Sequence, residues 1–323
     1  MTTLPHDHDA AHASDVALID LADPAERTRI HALMGACEAA DGHLPFGDHE
    51  LLAIQTGAVE DHIGFAVHDE GTLAGYGHLS RLGDAWFFEI AVHPEMRGRG
   101  IATRILDAIV AHTAAHGGGT LSTWAYRQAP DVGGLIRHAG LRPSRTLLQM
   151  RLNALPAAAP ALPDGLVLDR FCPGIDDDEW LALNARAFAH LPDQGAWTRR
   201  DLHARISADW FDAEDVLTVR RDGTLIATCW TKLDPTTRTH DGRQLGEIYV
   251  IAVDPAEAGA GLGRILATVG LDHLRERGAQ VGMLYADKDN EAAVAMYESL
   301  GFLVNHEDVC LITDVAPSGA TSG

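Results

Sequence analysis

Two stretches of this chain share a layout that few folds accommodate. "FFEIAVHPEMRGRGIATRILDAIVAH", Phe87 to His112, passes from an apolar run through an X-Pro turn and a glycine-containing loop into an amphipathic segment. "EIYVIAVDPAEAGAGLGRILATVGLDHL", Glu247 to Leu274, does the same. Apolar residues recur at helical spacing in both, at Ile101, Ile105, Leu106, Ile109 and Val110 and again at Leu262, Ile265, Leu266, Val269 and Leu274. A strand, turn and helix repeated in this way predict two homologous α/β domains, each an α+β arrangement on a mixed sheet. The superposition needs a shift, because Glu89 precedes Pro94 by five residues and Glu247 precedes Pro255 by eight. Glu89 is therefore not a secure counterpart of Glu247.

Length supports the division, since 323 residues with 46% hydrophobic content suffice for two ordinary domains. A formal net charge of −21 argues against a general nucleic-acid or anionic-membrane surface and hints at a cationic substrate. Cys37, Cys172, Cys229 and Cys310 show no C-x-x-C pair or metal-ligand spacing, so they read as free thiols of a reduced compartment. With no apolar run near the roughly 20 residues of a membrane span and no secretory signal, the expectation is a cytoplasmic protein, a monomer with no metal, nucleic-acid or membrane partner. His6, His8 and His12 lie in a polar stretch that reads as a disordered tail, 1–14, rather than a metal site. "NALPAAAPALPDG", Asn153 to Gly165, has the composition of an extended spacer. The expected domains are accordingly 15–152 and 164–314, with a linker at 153–163 and a second disordered tail at 315–323.

In "RGRGIA", Arg97 to Ala102, and "AGAGLG", Ala258 to Gly263, small residues leave backbone N–H groups open where a helix begins. Such a turn suits a phosphate or pyrophosphate, or it is simply a tight connection. No G-x-x-x-x-G-K-[ST] is present, and Arg264 stands where a dinucleotide fingerprint would place its third glycine.

Arg97, Gly100 and Ala102, following a V-x-P strand end, resemble the acetyl-CoA pyrophosphate loop of the GCN5-related N-acetyltransferases. "YADKDNEAAVAMYESLGF", Tyr285 to Phe302, resembles that family's closing motif, with Asn290 opening a helix, Tyr297 two turns on and Gly301-Phe302 ending it. Nearly the whole chain after the first tail resembles the tandem members that acetylate a small thiol-sugar acceptor. "AFAHLPDQGAWT", "CWTKLDP" and "GEIYVIAVDP" look like their substrate-side segments.

That resemblance implies acceptor contacts from Asp193, Lys232, Glu247 and Tyr285, with Asp48 of "DGHLPFGD" from the first half. It implies acetyl-CoA contacts, as co-substrate, from Ile90, Ala91, Val92, Arg97, Gly98, Arg99, Gly100, Ile101, Ala102 and Thr103. In the second half it implies the same of Ile251, Ala252, Val253, Ala258, Gly259, Ala260, Gly261, Leu262, Gly263, Arg264, Asn290, Ala292 and Ala293. The second loop departs from the family by carrying Ala258, Gly259 and Ala260 in place of Gln or Arg, so the amides must do most of the cradling, with Arg264 compensating in part.

Acetyl transfer to an amine removes a proton from the nucleophile and gives one to the departing thiolate. Glu247 is placed to take the first, directly or through water, and Tyr297 to give the second. Aligning Gly140 with Gly301 puts Ile136 at the Tyr297 position and Ala129 at the Asn290 position. The first half therefore reads as a cofactor-binding but inactive partner. Cys229 reads as a buried small hydrophobe rather than an acyl-accepting nucleophile. Trp197, Trp210 and Trp230 read as core, with stacking on a sugar ring as the alternative. The leading expectation is acetyl transfer to the cysteinyl amine of a cysteinyl-glucosaminyl-inositol. The alternatives are another small amine or a peptide N-terminus as acceptor, and an acetyl-CoA sensor without turnover.

Overall fold

The computed structural model describes residues 16–57, 61–82, 85–126 and 132–319. His6, His8, His12, Ala129 and the last four residues of the expected second tail lie outside them. The chain forms two compact units, one of Met1–Arg145 with Asp308–Gly323 and the other of Thr146–Glu307.

In the first unit, β1 (Ala17–Ile19), β2 (His62–Asp69), β3 (Thr72–Leu82) and β4 (Ala85–Val92) are successive antiparallel neighbours. β5 (Gly119–Ala125) joins β4 in parallel, and Val309–Val315 of β12 (Leu303–Val315) run antiparallel to β5. α1 (Pro24–Asp41) starts on an Asp23 side chain that accepts the Ala25 N–H. With α2 (Asp48–Thr56), it buries Ile30, Leu33, Met34 and Ile54 against Tyr76 and Ala91 on one face of the sheet. α3 (Ile101–Ala115) covers the other face with the predicted stripe Ile101, Ile105, Leu106 and Ile109, and α4 (Val132–Ala139) packs beside it. Gly75 and Gly77 of β3 admit this helix, for a Cβ there would meet the Ile101 and Ile105 side chains at 2.5 and 2.3 Å.

The second unit repeats the plan. β7 (Leu166–Arg170), β8 (Val216–Arg221), β9 (Thr224–Lys232) and β10 (Leu245–Val253) are antiparallel in turn; β11 (Val281–Asp287) joins in parallel, and β6 (Arg142–Leu152) completes the order. α5 (Asp177–Ala187), α6 (Pro192–Gly195) and α7 (Arg199–Ile206) lie on the side of an aromatic core built on Trp180 and Trp230. α8 (Leu262–Glu276) and α9 (Glu291–Ser299) cover the opposite side, where Leu262, Leu266, Val269 and Leu274 are buried. α3 and α8, the helices after the two glycine loops, are 15 residues each.

Three boundaries differ from the sequence expectation. The first unit ends at Arg145, before the proline-rich stretch, because β6 pairs with β11 while β12 returns to pair with β5. Residues 153–163 have no helix or strand, but they are not a free spacer: Leu155, Ala159 and Leu162 pack on the second core, and the Ala159 N–H donates to Asp272 at 3.1 Å. At the end of the chain, Val315 is still paired and the Ser318 N–H donates to the Ala114 carbonyl at 2.8 Å, so Val315–Ser318 is ordered. Among the described residues no helix is long and apolar enough to cross a membrane.

A chain ended at Glu307 should lose cooperative unfolding of the first unit, because β5 loses its outer partner along Gly119–Ala125. Two-phase melting followed by circular dichroism is the expected result; one transition at the wild-type temperature would show that β12 adds nothing.

Candidate active site

Each unit opens where its parallel pair comes apart. β10 and β11 pair from Leu245↔Val281 to Ile248↔Leu284 and then diverge. The cause is visible in β10, where the register against β9 shifts between Ile248 and Val250. Tyr249 and Val250 both turn toward the α5 and α7 side, while Ile248, Ile251 and Val253 face α8 and α9. This is a bulge, one extra residue that bends its strand away from a neighbour. In the first unit, β4 and β5 pair at Trp86↔Leu121 and Phe87↔Ser122 and then part.

Of the acceptor residues expected in the second half, the structure brings three to one face. Glu247 is partly exposed and stands opposite Lys232 in the β9–β10 register. Leu245, Val281 and Met283 share a small cluster, so alternation places Glu247 and Tyr285 on that same face. The Tyr285 hydroxyl accepts a 2.8 Å hydrogen bond from Gln149, whose own oxygen accepts from Asn305. Asp193 falls in α6, and its side chain lies outside the described part of the structure. Asp48 belongs to the first unit, as the first residue of α2.

Sequence reasoning missed what holds Lys232. Its ammonium lies 4.5 Å from the Trp210 ring centre and 5.2 Å from that of Tyr249, a cation–π cradle beside Glu247. The Tyr249 hydroxyl accepts from Arg205, whose guanidinium lies over Trp197 at 3.7 Å. Trp210 is thus both core and site wall. A run of aromatics near "CWTKLDP" was the available signal, but only the bulge turns Tyr249 toward them.

Tyr297 sits on the opposite side of the sheet. It is 5% exposed, packs with Cys229 in the core beneath α8 and α9, and meets Phe302 edge-on at 5.8 Å. Burial above all, with the nearby Cys229 thiol, raises the phenol pKa, so the hydroxyl keeps its proton through the neutral range. Burial likewise pushes the Cys229 thiol up to about 12, which suits a packing residue and not a nucleophile. Asn290 caps α9 as expected, accepting the Ala293 N–H at 3.2 Å, and Gly301 follows the helix at φ +95°.

Both predicted phosphate loops have one backbone shape. Gly100 and Gly261 are N-caps at φ +74° and +75°, and Gly98 and Gly259 lie at +75° and +87°. A Cβ would meet nothing within 4 Å at any of the four, so glycine is required for its left-handed backbone and not for space. The open amides at the starts of α3 and α8 suit a pyrophosphate. The arginines behave otherwise than expected. Arg97 donates to both Asp41 oxygens at 2.8 and 2.6 Å and to the Val92 carbonyl at 3.3 Å, and this partner holds the Asp41 carboxyl below its usual range. Arg99 lies 3.5 Å from Asp69, and Arg264 is turned onto Ser299.

In the first unit a cavity of about 810 Å³ runs beside this loop. It is lined by Ile90, Ala91 and Val92, by Arg97, Gly98 and Gly100–Thr103, and by Tyr126 and Trp124 past the divergence. Every expected cofactor residue of the first half except Arg99 is on its wall. Ile136 is partly buried against the core, as an apolar residue at that position should be. The first unit is nevertheless not without acid–base groups: Glu89, 2% exposed, accepts the Tyr126 hydroxyl at 2.5 Å. Among the described residues no group of three or more His, Cys, Asp or Glu could hold a metal.

The model of the acetyltransferase (GNAT) family matches residues 31–132 and again 179–302, one match on each fork. The mycothiol acetyltransferase of Salinispora arenicola is 42% identical, covering 89% of this chain and 93% of its own. That of Acidothermus cellulolyticus is 40% identical over 86% and 88%. The chain belongs to the mycothiol acetyltransferases of the GNAT family. A tandem GNAT protein of the clavulanic acid biosynthesis pathway shares the fold at a TM-score of 0.71, with 18% identity and coverage of 94% of this chain and 99% of that one. A GCN5-related N-acetyltransferase from Sphaerobacter thermophilus does so at 0.65 and 21% identity, covering 94% and 96%.

For a GNAT loop with its arginine held by a carboxylate, Asp41→Asn should free Arg97 for the pyrophosphate. Acetyl-CoA binding at the first unit should tighten about two- to five-fold, the range for an exposed charge pair worth under about 1 kcal/mol. Calorimetry in a Gly261→Asp background, which blocks the second loop, reads it; an unchanged Kd would show that Arg97 serves the loop only through Asp41 and Val92.

Proposed function

We propose that the second unit transfers the acetyl group of acetyl-CoA to the cysteinyl amine of 1D-myo-inositol 2-(L-cysteinylamino)-2-deoxy-glucopyranoside, giving mycothiol and CoA. The observation that carries this reading is the placement of Glu247 and Tyr297 on opposite sides of the β10–β11 divergence. A thioester lying in the fork meets the amine from the Glu247 side and sheds its thiolate toward the Tyr297 side. Glu247 takes one ammonium proton, directly or through water, and the amine attacks the carbonyl carbon. The C–S bond then breaks and Tyr297 protonates the sulfur, while the second nitrogen proton is lost to solvent as the amide forms and the Tyr297 phenolate is reprotonated from solvent; the proton on Glu247 also returns to solvent. A phenol with a raised pKa is the right donor here, since it stays protonated until the thiolate appears.

Lys232, with its position set by Trp210 and Tyr249, offers a cation to an acceptor oxygen or to Glu247. Tyr285 offers a hydroxyl fixed by Gln149, and Asp193 offers a carboxylate to the ammonium or the sugar hydroxyls. The names of the relatives support the acceptor; the geometry alone supports an amine acetyltransferase.

Tyr297→Phe should lower kcat by about 10²- to 10⁴-fold with acetyl-CoA binding nearly intact, because the ring remains and only the proton is lost. Unchanged kcat, with chemistry rate-limiting in pre-steady-state assays, would remove Tyr297 from the mechanism. The full acceptor should also be acetylated with a much higher kcat/KM than free cysteine, since the remote hydroxyls supply positioning energy. Equal values would leave an amine acetyltransferase of another specificity.

A further inference from the structure

The acceptor-side face of the second sheet includes a strand that comes from the first half of the sequence. β6 pairs with β11, and its Leu148, Met150 and Leu152 are buried in the core beneath α8 and α9. Alternation therefore sends Gln149 and Arg151 to the other face. The register sets Glu247 opposite Met283, Met283 opposite Arg151, and Tyr285 opposite Gln149. Tyr285 is 42% exposed, whereas Gln149 is 3% exposed. Burying an amide is costly unless its donors and its acceptor are matched. The Gln149 oxygen accepts from Arg151 Nε at 3.2 Å and from Asn305 Nδ2 at 2.9 Å, and its Nε2 donates to the Tyr285 hydroxyl oxygen at 2.8 Å. An arginine can only donate, so the end of the amide that meets Arg151 is the oxygen and the end that meets Tyr285 is the nitrogen. The phenol is thus the acceptor in its bond with Gln149, and its own proton is directed elsewhere. An apolar side chain of similar size would fill the space beside Tyr285 without setting that direction.

We propose that Gln149 is a positioning residue for acceptor recognition: it holds Tyr285 as a hydrogen-bond donor, so that this part of the face takes a carbonyl, ether or alcohol oxygen of the acceptor in preference to its ammonium. The proposal rests on the reading of the second unit as an amine acetyltransferase with Tyr285 as an acceptor contact. Its consequence is orientation. Tyr285 stands one strand over from Glu247 and two residues further along, and Lys232 stands opposite Glu247 on the other side. A phenol oxygen offered as an acceptor would compete with the carboxylate for the ammonium and let the substrate bind with its amine turned from the thioester. A phenol held as donor favours an oxygen instead, as the Lys232 cation does, and the ammonium is drawn to the carboxylate between them. The residue that sets this polarity follows α4 in the sequence, ahead of the second family match at 179–302, so the acceptor face is not complete in the second repeat alone.

The test follows acetylation of cysteinyl-glucosaminyl-inositol by the full chain. Gln149→Glu keeps the size of the side chain but, ionised, only accepts, so Tyr285 must turn its proton inward; Gln149→Leu removes the donor outright. In both, the KM for the acceptor and its Kd, measured by calorimetry on the CoA-bound enzyme, should rise about three- to ten-fold, the worth of one hydrogen bond. The kcat and the Kd for acetyl-CoA should stay within about two-fold, the pattern of lost ground-state binding. Tyr285→Phe should raise the same two acceptor constants, and adding Gln149→Leu to it should raise them no further, because nothing is left to position. If Gln149→Leu fails to fold, Gln149→Glu alone and with Tyr285→Phe carries the cycle. Acceptor constants raised by Tyr285→Phe but by neither Gln149 change would overturn the proposal and leave the reading of the second unit standing. Effects that multiply in the double variant would overturn it too, as would a loss of kcat and acetyl-CoA binding in step with a lower melting temperature, either of which would make Gln149 a packing residue. A wild-type chain that does not acetylate this acceptor, or a Tyr285→Phe variant with unchanged acceptor constants, would overturn the underlying reading and the proposal with it.

Discussion

The fork in each sheet depends on a parallel strand pair that holds for a few residues and then fails. Backbone N–H and C=O groups that leave a ladder must find other partners, so a sheet that opens in its middle exposes a row of donors and acceptors between two packed faces. In the second unit the opening is forced by one extra residue at Tyr249–Val250. The glycine loop follows that strand directly, and its left-handed glycines aim the amides of α8 at the same gap. Strand divergence, loop and helix start therefore act as a single construction: the gap suits an extended ligand and the helix end suits its anion.

The same construction separates the two residues proposed as proton acceptor and proton donor. A β-strand sends alternate side chains to opposite faces, so a ligand threaded between diverging strands has two distinct environments without any loop having to reorganise. In the second unit one face holds the partly exposed Glu247 with its Lys232 neighbour, and the other holds a phenol buried to 5% exposure. In those proposed roles their electrostatic requirements conflict, because a base needs access to a charged amine and an acid needs an apolar surround that keeps it protonated. The sheet keeps the two from compromising each other. In the first unit Glu89 and Tyr126 are instead joined directly by a hydrogen bond.

What the sequence made legible is local. The stripes of α3 and α8, the Asn290 cap, the glycines before both helices and the burial of Cys229 all follow from spacing and residue type within a few positions. The missed features join distant residues: Arg97 to Asp41, Tyr126 to Glu89, Lys232 to Trp210, and β12 to β5 in place of β6. β6 and β12 both follow the last helix of their half, so nothing local tells which sheet each will complete. Pairing is decided by tertiary fit. The consequence is that the first unit is not a continuous stretch of sequence, with the second inserted ahead of its last strand, and a cut at the proline-rich segment would leave each sheet short of its sixth strand.

The two loops also show where anion affinity in this architecture must come from. The first loop carries two arginines and the second has none ahead of its helix, a contrast that on sequence alone suggests a strong and a weak site. In the structure the contrast shrinks. Arg97 is neutralised by Asp41, Arg99 lies near Asp69, and Arg264 is turned onto Ser299. An exposed charge pair is worth under about 1 kcal/mol, whereas a hydrogen bond to a charged group contributes about 1.5–3 kcal/mol. Several helix-start amides thus outweigh any one of these side chains. The feature both loops keep is the backbone shape set by left-handed glycines, Gly98 and Gly100 at φ +75° and +74°, Gly259 and Gly261 at +87° and +75°, and the amides it opens at the helix start do not depend on the arginines.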